Sequence, residues 1–585
     1  MTFSYVTQRE KLAEELEALK TTPFVYLDIE TTAQEDFTKS KIRLVQLGDD
    51  KTTIVVDLFE CPDCAELLKD FLNGKAWVGH NLKFDIKHLY HFYGIEPVTT
   101  FDTYIASILL GNERNSLQAV VEKYLGEYLD KTEQLSNWGA TTLSDTQLAY
   151  AAKDVEILRR LFPILLKELN ALGQTNFDNA YLEKTRVAEI FGLKNPVAIV
   201  EMAMVKETAK LEAHGFKVDT EYLNQALKKL KKELQNRQIK FMMTHGKVDI
   251  FSPKQVALFL TKRLKLKLPS TKKGNIATDD KSLSEYAENP VVAEIIRIRK
   301  LKKVFDKLAE LKKFVREDGR VHPEFKQIGA KTGRMSSSAP NVQNIPRDLR
   351  KIFVAPEGKK LVIADFSQIE LRIAAEYVNE EKMIEAFQKG EDMHVLTASL
   401  VLGKPKEEVT KEERQLAKAM NYGLIYGISA KGLMEYAKFG YGVDITVEEA
   451  RKLIAKFFKA FPKFYEWHKS LRKTLNEKGK VEGKTMLGRN YVAETFQDAA
   501  NYPIQGTGAD MLKLAVDIFS YQCEIQGYGA KIVNLVHDEI VCEVPQEQAQ
   551  EVAQLLKESM EFAGNLILKK VPVEADVSVS ERWEK

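Results

Sequence analysis

The stretch NLVHDEIVCEV, residues 534–544, sets three consecutive ionisable side chains in the middle of a largely apolar run. Its leucine, valine and isoleucine residues are typical of buried strands, and His537, Asp538 and Glu539 interrupt them. Burying a carboxylate without a partner carries a high free-energy cost, so these acids need a compensating charge. The stretch therefore predicts a hairpin that holds reactive acids, and other parts of the chain must supply what those acids face.

The composition sets the broad class of protein. The chain has 585 residues, 44% hydrophobic and 29% charged, so it is long enough for several domains with substantial cores. The net charge is only +2, which excludes a strongly basic global field, so any nucleic-acid-binding surface must be local. There is no N-terminal signal core and no run of about 18 apolar residues. We therefore expect a soluble, cytoplasmic protein with no membrane partner.

The four cysteines do not indicate a disulfide scaffold in so long a chain. Cys61 and Cys64 have CxxC spacing, but no second CxxC or paired-histidine motif completes a zinc site. We expect an ordinary loop here, and metal or redox use is the alternative. Near the N-terminus, Thr7 and Glu10 predict a capped helix.

The chain alternates between regions of different periodicity. Residues 1 to about 170 alternate short apolar strands with helices, which predicts an α/β domain. Residues of about 200–315 are helical and lysine-rich, and residues 297–313 carry eight basic side chains against two acidic ones. That segment is either a solvated helix face or a surface that tracks phosphates. After strand LVIA (361–364) we expect helices to about residue 494, a helix from about 499, the 534–544 hairpin, another helix and a final strand.

A first set of acids lies in the α/β region. In VYLDIETT, Asp28 and Glu30 are two apart on a strand and share one face. Asp85 follows in HNLKFD, and Tyr150 and Asp154 share one face of a helix that a Ser-x-x-Gln capping box begins at residue 144. Paired acids repel and need a cation or a proton. Each piece alone is also common on ordinary surfaces, whereas the ordered set of three is far more specific.

This ordered set resembles the three motifs of the DEDD family of proofreading 3′→5′ exonucleases, which have an RNase H-like fold. The resemblance implies that Asp28, Glu30 and Asp154 hold the metal ion that positions the attacking water. It also implies that Asp85 helps to hold a second ion and that Tyr150 orients the water. Two divalent ions can stabilise both oxygens of a phosphodiester displacement, and Mg²⁺ suits such oxygen ligands.

A second set of residues lies in the C-terminal half. Asp365 is predicted to end an apolar strand and open a helix, for which helix capping is the simpler interpretation. With Asp538 it would supply two strand-borne acids from distant segments, as a two-metal site for phosphoryl transfer requires. Between them, a helix with a Thr410–Glu413 capping box carries side chains four residues apart, namely Arg414, Lys418, Tyr422 and Tyr426. A solvated basic face and core tyrosines are the alternative, but the combined stripe suits a nucleoside triphosphate.

DFSQIELR, RxxxKxxxYGxxYG and VHDE resemble motifs A, B and C of family A DNA polymerases, as do TGRMSS, NYPIQGTGAD and the closing ERW. The match covers nearly the whole chain and is similar to the large-fragment (Klenow) type of that family, in particular the short forms of thermophilic bacteria, their viruses and apicoplasts. It implies an α/β and α+β multidomain protein, with an RNase H-like exonuclease domain followed by a right-hand polymerase domain.

The resemblance also implies domain boundaries and residue roles. The exonuclease domain would span residues 1–170 and the polymerase domain 171–585, with a thumb at about 210–315, a palm at about 316–385 and 495–585, and fingers at about 386–494. Asp365 and Asp538 would be metal ligands with Glu539 in support, and Glu370 a steric gate under the sugar. Arg414, Lys418, Tyr422, Tyr426 and Gln368 would bind the nucleotide, and Arg334, His537, Asn501 and Gln505 would contact DNA.

The implied cofactor is Mg²⁺, two ions per active site with Mn²⁺ as a substitute, and the implied partners are primer–template DNA and dNTPs on a monomeric enzyme. Because nothing precedes the exonuclease in this sequence, we expect no 5′ nuclease. Tyr422 stands where many relatives carry Phe, which predicts easy acceptance of dideoxynucleotides. The rivals are a single-subunit RNA polymerase, an exonuclease joined to an inactive polymerase fold, and a polymerase with an inactive exonuclease domain.

Overall fold

Six strands form the sheet at the start of the chain, in the order β1-β4-β3-β2-β5-β6. The central β2 pairs antiparallel with β3 and parallel with β5, and β1 and β6 add parallel edges. Helices follow most strands, which confirms the predicted α/β alternation. The elements are β1 (Ser4–Val6), α1 (Arg9–Ala18), β2 (Phe24–Thr31), β3 (Ile42–Gly48), β4 (Thr53–Asp57), α2 (Cys64–Leu72), β5 (Ala76–Gly79), α3 (Lys83–Tyr93), β6 (Thr100–Asp102), α4 (Thr103–Leu109), α5 (Leu117–Leu125) and α6 (Asp145–Asn170).

The computed structural model describes residues 3–32, 36–130, 133, 136–172, 180–271 and 274–584. The chain forms two compact units. One contains Met1–His214, Glu324–Ser337 and Gly358–Ser580, and the other contains Gly215–Pro323, Ser338–Glu357 and Glu581–Lys585. Among the described helices, none combines the length and the apolar character that crossing a membrane requires.

The second unit is mainly helical around its own apolar core. Its two long helices, Thr220–His245 and Pro290–Lys313, pack together through leucine, isoleucine and phenylalanine side chains. Phe216 stacks on Phe353, which also contacts the buried Trp583. Within the basic segment 297–313, Lys302 and Lys303 form ion pairs with Asp306 and Asp280. The elements between residues 186 and 338 are α7 (Arg186–Phe191), α8 (Pro196–His214), β7 (Phe216–Lys217), α9 (Thr220–His245), α10 (Pro253–Leu258), α11 (Asp280–Ser284), α12 (Pro290–Lys313), β8 (Arg320–Val321), β9 (Glu324–Lys326) and β10 (Ser336–Ser338).

A four-stranded antiparallel sheet forms the centre of the C-terminal half, in the order β14-β15-β11-β16. Two long helices, α20 and α21, pack together, and α21 lies against this sheet. The elements are β11 (Lys359–Phe366), α13 (Ile369–Tyr377), α14 (Glu381–Gln388), α15 (Met393–Leu402), α16 (Lys411–Ile425), α17 (Ala430–Tyr441), α18 (Val447–Ala460), α19 (Pro462–Lys478), β12 (Val481–Lys484), β13 (Asn490–Ala493), α20 (Phe496–Gln526), β14 (Lys531–Val536), β15 (Glu539–Pro545), α21 (Ala549–Ile567) and β16 (Ala575–Ser580).

Local details confirm some predictions and correct others. Both predicted capping boxes, at Ser144 and at Thr410, are present. The predicted cap at Thr7 is wrong, since α1 begins after Gln8 without a side-chain cap. The helical stretch expected to reach residue 494 ends at Lys478, because residues 481–493 form the β12–β13 hairpin instead.

The structure also corrects the prediction for the CxxC segment. Cys61 and Cys64 are joined by a disulfide at the start of α2, so the expectation of an ordinary loop is wrong. The other two cysteines, Cys523 and Cys542, are buried free thiols, which agrees with the absence of a disulfide scaffold.

Candidate active sites

Three carboxylates converge at one end of the N-terminal sheet. Asp28 and Glu30 project from β2, and Asp154 projects from α6, which packs against that strand. One oxygen from each of the three acids can be chosen so that all lie within 4.8 Å of one another. Acids this close repel unless a cation or a proton intervenes, so the predicted convergence is observed and the donor set suits a divalent metal ion.

Tyr150 lies one helical turn before Asp154 on α6. Burial raises the pKa of its phenol strongly, and the negative charges of Asp154, Glu30 and Asp28 raise it further. Tyr150 therefore keeps its proton over the whole neutral range, and its hydroxyl can exchange hydrogen bonds with a water beside the acids.

Asp85 is connected to the same strand through the backbone. It is almost fully buried on α3, and its Oδ1 accepts a hydrogen bond from the N–H of Ile29 at 3.0 Å, between the two acids of β2. Among the described residues it is not one of the three acids that converge within 4.8 Å. Burial raises its pKa well above the usual range, and nearby Asp102 and Glu30 add to that rise.

Asp102, which was not among the predicted site residues, supports the segment that leads to Asp85. Its carboxylate accepts hydrogen bonds from the backbone N–H groups of Asn81, Leu82 and Tyr104 at 2.8–2.9 Å. It thereby holds the turn that leads into α3, where Asn81 has a positive φ of 59°. Burial raises the pKa of Asp102 to about 6. The Asp-Thr pair at the start of α4 was the available signal, since Asp is a favoured N-cap.

The acids of the C-terminal sheet lie on adjacent strands. Asp365 on β11 is directly opposite Glu539, the first residue of β15, and the N–H of Phe366 donates to the carbonyl of Asp538 at 3.3 Å. Asp538 itself lies in the turn, so describing it as strand-borne was wrong. Among the described residues these three acids do not form a group with all ligand atoms within 4.8 Å.

The segment after Asp365 also differs from expectation. The strand continues to Phe366, and α13 begins at Ile369 after Gln368, which has a positive φ of 51°. Asp365 therefore neither opens nor caps that helix. Glu370, in the first turn, receives two hydrogen bonds, from Arg334 Nη2 at 3.0 Å on Oε1 and from the Tyr426 hydroxyl at 2.7 Å on Oε2.

The predicted stripe on α16 is present, with Tyr426 just beyond the last helical residue. Arg414 donates to Asp392 at 2.8 Å, and the ammonium of Lys418 lies 5.9 Å from the centre of the Tyr441 ring. Burial raises the pKa of Tyr422 to about 12, with smaller contributions from Glu370 and Asp538. Tyr422 therefore lies within electrostatic reach of Glu370 and Asp538, both in the C-terminal half of the chain.

Three of the residues predicted to contact DNA lie in the β14–β15 turn and on α20. His537 is exposed in the β14–β15 turn with a positive φ of 58°. Asn501 and Gln505 are half-buried and four residues apart on α20. The buried side-chain carbonyl oxygens of Asn501 and Gln368 accept no hydrogen bond within the described part of the chain.

Comparisons with known proteins identify relatives for both halves. Residues 220–585 match the family described as DNA polymerase family A, and residues 3–170 match the family described as 3′-5′ exonuclease. The chain is 57% identical over 585 residues to a DNA polymerase I of Aquifex aeolicus (strain VF5), covering 100% of both chains. It is 31% identical over 548 residues to a DNA polymerase I of Pseudomonas aeruginosa, covering 87% of this chain and 56% of that relative.

One solved structure is similar to this chain over nearly its whole length. It is described as the POL domain of Pol1 from M. smegmatis in complex with DNA primer-template and dNTP. The two structures have a TM-score of 0.78 and 26% sequence identity, and the match covers 99% of each chain. The likeness therefore includes the N-terminal sheet as well as the C-terminal one.

Proposed function

Because this chain belongs to DNA polymerase family A and carries a 3′→5′ exonuclease domain, we propose that it extends the 3′-hydroxyl of a DNA primer with dNTPs at Asp365 and Asp538. We propose that it also removes mispaired primer ends at Asp28, Glu30 and Asp154. The observation that carries the proposal is the convergence of the three exonuclease acids, within 4.8 Å, in a chain that also holds acids on adjacent strands of the C-terminal sheet.

Proteins of these two families depend on divalent metal ions. We propose Mg²⁺, two ions per active site, with Mn²⁺ as a substitute. Asp28, Glu30 and Asp154 would hold one exonuclease ion and Asp85 would help to hold the second; Asp365 and Asp538, supported by Glu539, would hold the polymerase ions. Such ions supply charge neutralisation and a stabilised oxygen nucleophile when they are bound. All of these ligands are carboxylates, as Mg²⁺ prefers.

The residues of α16 would bind the incoming nucleotide. Arg414 and Lys418 carry the positive charge that a triphosphate requires, and their spacing of four residues puts them on one face. Tyr422 and Tyr426 follow on the same stripe and would lie near sugar and base, together with Gln368 at the start of α13. Glu370 would exclude a 2′-hydroxyl, because its carboxylate is held from two sides and cannot readily yield space.

Primer and template would be contacted by Arg334, His537, Asn501 and Gln505. The side-chain oxygen of Asn501, buried without a hydrogen-bond donor among the described residues, supports this role because a base edge could supply the missing donor. At the exonuclease acids, Tyr150 would orient the attacking water, since its raised pKa keeps the hydroxyl protonated. We further propose that the enzyme acts as a cytoplasmic monomer.

A labelled primer–template assay with Mg²⁺ tests both sites together. Asp538→Ala should abolish extension and leave primer degradation, whereas Asp28→Ala should abolish degradation and leave extension. Asp444→Ala, which removes an exposed carboxylate paired with Lys438, is the matched control and should retain both activities. Loss of both activities in either site variant would contradict the two-site proposal. Extension with rNTPs alone, as efficient as with dNTPs, would favour an RNA polymerase instead.

A further inference from the structure

Four charged side chains form a cluster that none of the proposed chemistry uses. Glu201 comes from α8, Arg489 directly precedes β13, and Asp510 and Lys513 come from α20. Their exposed fractions are 0%, 7%, 0% and 1%, and we call them the buried ion cluster. Lys513 Nζ lies 2.6 Å from Glu201 Oε1, Arg489 donates to both acids, and Arg489 Nε lies 2.7 Å from Asp510 Oδ1. The two positive and two negative charges balance, so each depends on its partners.

The buried ion cluster also holds a backbone segment, residues 332–334. Lys513 Nζ donates to the carbonyl of Gly333 at 2.8 Å. Gly333 has a positive φ of 82°, and a Cβ there would lie 2.6 Å from Arg489 Nε. A Cβ on Gly506 would likewise lie 3.1 Å from the carbonyl oxygen of Thr332. The segment is therefore seated directly on the cluster, with no space for a side chain at Gly333.

The next residue along this segment reaches the proposed sugar gate. Arg334 follows Gly333, and its Nη2 donates to Glu370 Oε1 at 3.0 Å. The Tyr426 hydroxyl donates to the other oxygen at 2.7 Å. The position of the Glu370 carboxylate thus depends on where the backbone of residue 333 is held. The side chain of Lys513 bonds the carbonyl of Gly333, and the N–H of Gly333 donates to the carbonyl of Ala330 at 2.9 Å.

We infer that the buried ion cluster is a positioning element for sugar selection, in which Lys513 fixes Gly333 so that Arg334 holds Glu370 against a 2′-hydroxyl. The inference rests on the proposed role of Glu370 and adds residues to it. None of the four charged groups needs to touch the nucleotide, because each acts through the segment 332–334. A misplacement of about 1 Å in such a supporting residue is enough to weaken a site.

The test compares kcat/KM for dNTP and rNTP on one primer–template. Using the ratio cancels any change in primer binding that Arg334 causes. Lys513→Met should lower discrimination against rNTP by about tenfold, with a larger change in KM for the nucleotide than in kcat. Lys513→Arg, which keeps a cationic donor, should restore most of it. A folded Lys513→Met enzyme with unchanged discrimination would overturn the inference.

A matched control separates positioning from stability alone. Arg43 and Asp57 form an equally buried ion pair at 2.8 Å in the N-terminal sheet, with side-chain exposures of 1% and 0%. Arg43→Met should lower the melting temperature and leave sugar discrimination as in the wild type. A purely structural role for the buried ion cluster predicts that Lys513→Met behaves in the same way.

Gly333→Ala decides the outcome if Lys513→Met does not fold. It keeps every charge and forces the segment and Arg489 apart, because the added methyl group meets the Arg489 side chain. It should lower discrimination in the same direction, and a folded Gly333→Ala enzyme that discriminates normally would contradict the inference.

Glu370→Ala separates the inference from the function it rests on. If Glu370→Ala leaves discrimination unchanged, the proposed gate itself fails. If Glu370→Ala lowers discrimination and Lys513→Met does not, only the inference about the buried ion cluster fails. When both hold, the double variant should discriminate no worse than Glu370→Ala, because Lys513 acts through Glu370.

Discussion

Tyr422 is the residue whose single oxygen atom has the clearest consequence. It is half-buried on α16, its ring centre is 5.9 Å from that of His394, and burial raises its pKa to about 12. Its hydroxyl is therefore protonated at neutral pH and can donate the hydrogen bond that a missing 3′-hydroxyl would have made. We expect weak discrimination against ddNTPs in the wild type and discrimination stronger by about tenfold or more in Tyr422→Phe. Single-nucleotide incorporation of ddNTP and dNTP measures this, and equal ratios in the two enzymes would refute it.

Individual site residues could be predicted where chain periodicity brings them together. Asp28 and Glu30 share a strand face, and Tyr150 and Asp154 share a helix face, so local geometry alone indicated their proximity. Asp102 was missed because its partners are backbone groups. A capping acid and a site-supporting acid look the same in sequence, and only the fold distinguishes them.

The ends of helices and strands could be predicted from the sequence where the hydrogen bonds that set them are local. The capping boxes at Ser144 and Thr410 were predictable because both of their hydrogen bonds lie within four residues. The start of α13 was not predictable. The strand that contains Asp365 continues to Phe366, and the helix begins only at Ile369, after Gln368 with its positive φ. The β12–β13 hairpin was missed because its strands are only four residues long and are stabilised by packing on α19 and α20.

The contact between α19 and α16 predicts a pH dependence of stability. His468 is buried, its Nε2–H donates to the carbonyl of Ile425 at 2.9 Å, and burial lowers its pKa to about 4. In the unfolded chain its pKa is about 6.5. Below that value the unfolded state binds a proton that the folded state refuses until about pH 4, so this side chain weakens the fold as pH falls across that window. The loss approaches about 1.4 kcal/mol per pH unit.

His468→Gln provides the comparison, because glutamine keeps a donor for the Ile425 carbonyl and does not titrate. Every other ionisable group is shared by the two proteins and cancels in the difference. The stability of the wild type relative to His468→Gln should be greatest above pH 6.5 and decline between pH 6.5 and 4, as measured by melting temperatures in matched buffers. A difference that stays constant with pH would show that His468 titrates normally.

At the scale of the whole molecule, the two sets of acids could be picked out from ordered motifs, but the interactions around them could not. Glu201 and Lys513 are more than 300 residues apart in sequence and meet at 2.6 Å. Neither lies in a stretch whose periodicity indicates a site, and a buried charge cannot be told from an exposed one without the fold. The assignment of residues 210–315 to a thumb stays a prediction.

Metal binding should stabilise the whole chain through both acid sets. Asp28, Glu30 and Asp154 repel one another in the folded state, and the unfolded chain does not hold them together. A divalent ion that binds only the folded form adds about 2.7 kcal/mol when its concentration is 100 times its Kd. Mg²⁺ should therefore raise the melting temperature relative to EDTA. Asp28→Ala and Asp538→Ala should each lose part of that gain, the double variant should lose most of it, and Asp444→Ala should keep it. An undiminished gain in the double variant would mean that Mg²⁺ stabilises the protein through some other set of ligands.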